Sequence, residues 1–300
     1  MRVRVRVPAT SANLGPGFDA LGLALALYNE VTLEDADHTS VTVSGEGADH
    51  LDRGVDNVVA RGVWMAFAAA GRPFRGAAIR CVNRIPLARG LGSSAAAWVG
   101  GLAGANALLG SPLDRGTLVE LAARAEGHPD NVAAAVLGGL TVSCATQERV
   151  VAMSLAVPDD LCWVVLVPSV QSSTREARAV LPDVVPRPDA VFNVQRVSLL
   201  MAALAGGRAD LIESAMHDRL HEPYRLALFP WMDSVRAAAR RAGALGCVLS
   251  GAGSAMLAAV RGNPEPVARA MEAAVRAAGL TGDALPLAVD TAGVTWERAD

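Results

Sequence analysis

The chain has 300 residues, 52% of them apolar and 19% charged, with a formal net charge of -3 at pH 7. That length and apolar content suit two domains with their own cores and exclude a disordered chain, and the charge leaves no basic footprint for nucleic acid. All 27 basic residues are arginine, so a Walker-A loop, a protein-kinase site and a Schiff-base cofactor site are excluded, since each needs a lysine amine.

The N-terminal "MRVRVRVPAT" alternates charge and valine, a strand pattern rather than the h-region of a signal peptide. Strands are expected over residues 2–7, 21–33 and 40–44, a helix over 57–70 and a strand over 77–82. A glycine loop follows and opens a helix to residue 109. Gly110, Ser111 and Pro112 end it. The apolar run 95–109 is too short to span a membrane, where about 20 residues are needed. Further helices are expected over 115–126 and 131–137, then a strand from "LTVSC".

Around residues 150–160 periodicity fades and "PDD" marks the candidate boundary between domains 1–150 and 151–300. Beyond it, "LCWVVLV" reads as a buried strand. Helices are expected over 174–181, 190–205, 208–217 and 231–242. "LGCVLSGAGSAMLAAV" reads as two strands around a second glycine loop, and a helix over 267–278 and a strand over 285–294 close the chain. No repeat recurs at a period of 20 to 50 residues. Cys81, Cys144, Cys162 and Cys247 form no C-x-x-C pair and read as small buried residues of a reducing, cytoplasmic setting. The whole reads as α+β.

Three segments carry the chemistry. "GLGSSA", residues 90–95, lies between a strand and a helix, where glycines allow close approach and the helix start offers free N–H groups and a positive dipole end. Three readings are open: a tight turn capped by Ser93 or Ser94, a relaxed dinucleotide fingerprint G-x-G-x-x-A, or a lysine-free triphosphate loop. For the fingerprint, Pro86, Ala88 and Arg89 separate strand from glycine, and only Asp114 could be its distant acid. The triphosphate loop needs a magnesium carboxylate, and "AEGHPDN" supplies Glu126, Asp130 and Asn131 around a helix break where oxygen ligands could converge. "SGAGSA", residues 250–255, adds a second backbone-rich turn. His217 and His221 lack the H-E-x-x-H pattern of a zinc site.

"VPATSANLGPGFDALGLAL", "PLARGLGSSAA", "EGHPDNVAAAVLGG" and "LSGAGSAMLAAV", in this order over residues 7–260, resemble the motifs of the small-molecule kinases that include galactokinase, homoserine kinase, mevalonate kinase and phosphomevalonate kinase. The first motif, with "STREARAVLP" and "HDRLHEPYR", is similar to the homoserine kinases in particular. Ser254 and Ala135 stand where that family often has proline.

The resemblance implies two α+β domains with the active site in their cleft, and magnesium-dependent transfer of the ATP γ-phosphate to the hydroxyl of L-homoserine. A sister kinase for another small alcohol, such as mevalonate or a sugar, and a non-catalytic ligand-binding relative are the alternatives. A homodimer is a further implication; nucleic acid and membrane partners are not expected. Pro86, Leu87, Ala88, Arg89, Gly90, Leu91, Gly92, Ser93, Ser94, Ala95 and Ala96 would wrap the ATP phosphates, supported by Gly251 and Gly253. Ser94 and Glu126 would hold Mg2+. Asn131, Glu126 and Asp19 would serve catalysis, and Asn13, Asp19, Asn131, Thr174, Arg178 and Arg225 would bind homoserine. The chemistry agrees: Arg178 and Arg225 offer planar forks for a carboxylate, Asn13 and Asp19 can accept from an ammonium or hydroxyl, and Thr174 lies one helical turn from Arg178. Catalysis would rest on positioning and magnesium rather than on a base.

Overall fold

The computed structural model describes residues 1–299. Strand β1 (Arg2–Ala12) alternates exposed arginine with buried valine and then stays buried to its end, because its second half lies under the rest of the molecule. It pairs antiparallel with β2 (Leu21–Asp35). After β3 (Ser40–Gly45) and helix α1 (Val58–Ala69), β4 (Ala77–Asn83) joins β2 antiparallel and β3 parallel. Helices α2 (Ser93–Leu108), α3 (Arg115–Glu126) and α4 (Asp130–Leu137) follow, then β5 (Leu140–Ala145) against the start of β2 and β6 (Val150–Leu155) against β5.

Helix α2 is apolar on almost every side because it is enclosed, packing against β1, β2 and α1. Its glycines permit this: a Cβ on Gly101 would lie 2.2 Å from the Val59 carbonyl oxygen of α1.

The second sheet has the order β10-β7-β9-β8, antiparallel throughout, from β7 (Leu161–Pro168), β8 (Gly246–Leu249), β9 (Met256–Arg261) and β10 (Gly282–Leu287). Between β7 and β8 run α5 (Thr174–Ala179), α6 (Arg187–Ala205), a 3-10 turn (Ala209–Leu211), α7 (Ile212–Ala215), α8 (Glu222–Arg225) and α9 (Met232–Arg241). Helices α9 and α10 (Glu265–Ala277) cover Val164, Leu166, Met256 and Ala258 on one face. Trp163, Val165 and Leu257 on the other face join the core of the first sheet, so one apolar interior runs through both layers. The last strand, β11 (Thr295–Arg298), returns to the first sheet and pairs with β1.

Four expectations are corrected. Residues 150–155, read as aperiodic, form edge strand β6, whose alternation is blurred because neither face is fully covered. Of the strand expected over 285–294 only residues 285–287 are strand, the end of β10; β11 begins beyond it, at Thr295, and lies in the other sheet. Measured against the division at 150/151, β6 and β11 both belong to the first sheet. The helix expected over 208–217 is split into the 3-10 turn and one turn of α7. Cys144 is exposed and Cys162 half-buried; only Cys81 and Cys247 are buried, and burial pushes both thiols up to about 12.

Candidate active site

The first motif makes a tight bend between β1 and β2. Asn13 and Asp19 hold left-handed backbone there, with φ 72 and 56, a conformation that asparagine and aspartate tolerate better than most residues. Asn13 secures the bend in both directions. Its Nδ2 donates to the Gly251 carbonyl at 2.8 Å, and its Oδ1 accepts from the Asp19 amide at 3.1 Å.

The loop after β4 packs on the second glycine turn. Ser250 Oγ donates to the Gly90 carbonyl at 2.7 Å and lies 2.8 Å from Ser11 Oγ, while the Ala255 amide donates to the Arg89 carbonyl at 2.9 Å. A Cβ on Gly90 would sit 2.1 Å from the Ser250 carbonyl oxygen, so only glycine fits. Ser254 is fully buried and donates to the Val170 carbonyl, which ties the turn down at the position where proline was expected. Arg89 bridges the two layers, its Nε donating to the Pro168 carbonyl at 2.8 Å and its Nη2 to the Ser169 carbonyl at 3.0 Å.

Gly92, not a serine, is the N-cap of α2, with φ 67 and no side-chain capping bond. The capped-turn reading therefore fails, and the first amides of α2 open onto the cavity without a side-chain partner. Such a helix start attracts anions. The dinucleotide reading fails on topology, since β4 runs antiparallel to β2 and residues 84–92 separate it from α2. Ala95 and Ala96 have their methyls in the core and do not line the cavity.

Glu126, the last residue of α3, accepts from Ser94 Oγ through Oε2 at 2.7 Å. Oxygen donors from two helices thus stand side by side at the cavity, the hard donor set a magnesium ion takes. Beyond the helix break, the carboxylate of buried Asp130 accepts from the Asn131 amide at 2.7 Å and holds His128 Nδ1 at 2.8 Å. Burial alone would lower the His128 pKa, but the hydrogen bond and charge of Asp130, with the charge of Glu126, raise it overall. Asn131 Oδ1 accepts from Thr10 Oγ1 at 2.8 Å and its Nδ2 donates to Asp130 Oδ1 at 3.3 Å, and the residue lines the same space.

Opposite stand the arginines. Arg178 on α5 makes a two-pronged bond to Asp19, Nη1 to Oδ2 at 3.0 Å and Nη2 to Oδ1 at 2.7 Å, so the expected carboxylate fork holds an internal carboxylate here. Arg225 on α8 is 1% exposed. Its Nε donates to the Ala177 carbonyl at 3.2 Å, and its Nη1 to His221 Nδ1 at 2.9 Å and the Gly251 carbonyl at 3.0 Å. Among the described residues Nη2 has no hydrogen-bond partner. His221 is fully buried and its Nε2 lies 2.8 Å from the Gly15 carbonyl, so it braces Arg225 instead of pairing with His217. Burial holds it neutral, with its pKa lowered to about 4.

Asn13, Asp19, residues 86–94, Glu126, Asn131, Arg178 and Arg225 line one cavity of about 480 Å³ between the two layers, together with Thr174, Gly251 and Gly253. Sequence reasoning missed the apolar wall that Val43, Leu51 and Val58 form beside Leu87, and Asn57, which caps α1 through the Val59 amide at 2.9 Å. The "DNVV" at residues 56–59 was the available signal. Phe18 was also missed: its ring lies 5.6 Å from the Cζ of both Arg178 and Arg225 and stacks on His221 at 5.1 Å.

Comparison with known proteins agrees with this geometry. Residues 57–139 match the model described as GHMP kinases N terminal domain, and residues 200–277 the one described as GHMP kinases C terminal. A homoserine kinase of Moorella thermoacetica is 49% identical over 92% of this chain and 93% of its own length, and one of Persephonella marina is 42% identical over 98% of each. The crystal structure of a homoserine kinase from Cytophaga hutchinsonii superposes with a TM-score of 0.91 at 30% identity, covering 99% of this chain and 97% of that one. The L. major mevalonate kinase shares the fold alone, at 15% identity and a TM-score of 0.68. The fold and cleft define an ATP-dependent kinase with an alcohol acceptor. The chain belongs to the GHMP kinases and, within them, to the homoserine kinase family.

Proposed function

We propose that this enzyme transfers the γ-phosphoryl group of ATP to the side-chain hydroxyl of L-homoserine, giving O-phospho-L-homoserine and ADP. The observation that carries this reading is a single cavity lined both by the loop at residues 86–94 with Ser94 and Glu126 and by Asp19, Arg178 and Arg225. An anion-binding helix start and a zwitterion-binding pair of charges face one space.

In this reading the apolar wall takes the nucleobase, and the amides from Gly90 to Ser94 cradle the phosphates. Ser94 and Glu126 hold Mg2+, which supplies charge neutralisation on the phosphate oxygens. Arg178 and Arg225 Nη2 take the homoserine carboxylate, and Asp19 takes its ammonium, so the zwitterion replaces one internal ion pair with two. The Asn131 amide orients the hydroxyl. Its oxygen then forms a bond to the γ-phosphorus as the bond to the β–γ bridging oxygen breaks, and the hydroxyl proton leaves with the transferred phosphate. Alignment and charge neutralisation account for the rate.

The test offers the protein ATP and magnesium with homoserine, mevalonate and a sugar in parallel, following ADP release. ADP should form with homoserine alone. Release driven by mevalonate or the sugar overturns the assignment.

A further inference from the structure

We propose that Phe18 is a positioning residue that holds the guanidinium groups of Arg178 and Arg225 at the spacing a carboxylate needs, making its ring the determinant of preference for carboxylate-bearing alcohols. This rests on the reading that the two arginines bind the substrate carboxylate.

Two guanidinium groups converging on one cavity repel each other, and in a partly dry site that repulsion is strong. Its trace is visible at Arg225, whose cation is disfavoured first by burial and next by the charge of Arg178. Asp19 offsets the charge of Arg178 through its two-pronged bond, but it would have to serve the ammonium once substrate enters. What remains common to both arginines is the Phe18 ring, with each Cζ 5.6 Å from its centroid, inside the range where an aromatic face attracts a cation.

The ring is itself fixed. It stacks on His221 at 5.1 Å and 22°. His221 is anchored to the Gly15 carbonyl at 2.8 Å and accepts from Arg225 at 2.9 Å. The Gly15 carbonyl is an acceptor only, so Nε2 carries the proton and Nδ1 is free to accept from the guanidinium. The bend of residues 13–19, the buried histidine and Arg225 therefore form one unit with Phe18 at its centre. An aliphatic side chain would fill the volume without attracting either cation.

The experiment measures steady-state kinetics of the full chain with L-homoserine and with 3-aminopropan-1-ol, which keeps the hydroxyl and ammonium and lacks the carboxylate. Phe18→Leu should raise the KM for homoserine about five- to thirtyfold, leave the KM for ATP unchanged, and leave kcat/KM for the amino alcohol at the wild-type level. Phe18→Tyr should restore homoserine binding. Pentafluorophenylalanine at position 18 keeps the shape and the fold but reverses the ring's charge distribution, and should reproduce the Leu defect. An unchanged homoserine KM in the fluorinated protein, or a defect equal for the two alcohols, overturns the role of Phe18 alone. A wild type with equal kcat/KM for both alcohols overturns the arginine clamp and the proposal with it.

Discussion

Gly90 and Ser250 meet at closest approach between the two glycine turns, with the Ser250 hydroxyl 2.7 Å from the Gly90 carbonyl oxygen and no room for a Cβ between them. The loop at residues 86–92 is held from behind by the other layer. Gly90→Ala must push the turns apart and force a methyl into left-handed backbone at φ 75. Affinity for a non-hydrolysable ATP analogue should fall about tenfold or more by calorimetric titration. Gly110→Ala, also left-handed at φ 84 but with nothing within 4 Å, carries the backbone cost alone and should bind normally. Normal affinity in a folded Gly90→Ala protein would show that the contact does not set the loop.

The bond between Ser94 Oγ and Glu126 Oε2 joins the first turn of α2 to the last of α3. Neither residue is in the core, so changes there should spare the fold. Glu126→Gln should lower kcat about a hundredfold or more and raise the magnesium concentration needed for half-maximal rate. Ser94→Ala should do the same more mildly. Rates measured across a magnesium titration, with circular dichroism to confirm folding, decide this. Wild-type turnover in Glu126→Gln would move the metal site elsewhere.

His221 and Glu222 are adjacent, both buried, and titrate in opposite senses. The Glu222 carboxyl is pushed up to about 7 by burial, although Arg236 at 2.9 Å and the Leu249 amide at 2.6 Å pull it down and Asp218 and Arg225 also face it. Its folded pKa lies above its unfolded value of about 4.5, so the folded protein binds the extra proton and stability falls as pH rises from 4.5 to 7. His221 is lowered to about 4 by burial, with Arg225 acting the same way and Asp218 and Asp19 opposing. The unfolded chain binds that proton, so this contribution is lost as pH falls from about 6.5 to 4. Between about 4.5 and 6.5 the two slopes cancel. Denaturant unfolding of Glu222→Gln should therefore show stability rising with pH across that window more steeply than in the wild type, by roughly 2 to 3 kcal/mol. Identical profiles for the two proteins would refute the pairing.

Much of this molecule was legible in its sequence. The alternation of arginine and valine placed β1, and the glycine at each helix exit placed the ends of α2 and α3. The glycine loops and the carboxylate at the helix break, which line the cavity, could be read because they carry local signatures, whereas Arg178 and Arg225 were singled out by the family resemblance. What was not legible depended on distant partners. The last strand lies beyond the expected 285–294 because β11 returns to β1, a pairing across nearly the whole chain that no local pattern encodes. Phe18 carries no local signal of its own, and only the fold brings two arginines to it. Asp19 read as a ligand for substrate, and only the geometry showed that it holds Arg178 meanwhile.

The return of β11 has a mechanical consequence. The second sheet, with its helices, lies between β6 and β11 and is joined to the first sheet at both ends, by residues 156–160 and by residues 288–294. A lobe on one tether can swivel and slide; a lobe on two can only rock about the line through them. One tether is stitched to the first sheet, since Val289 bridges Leu25 and the Asp290 amide donates to the Ala24 carbonyl at 3.0 Å. Any opening of the cleft would thereby be confined to rotation about the line through the tethers, and closure would return Arg178 and Arg225 to the same place opposite residues 86–94.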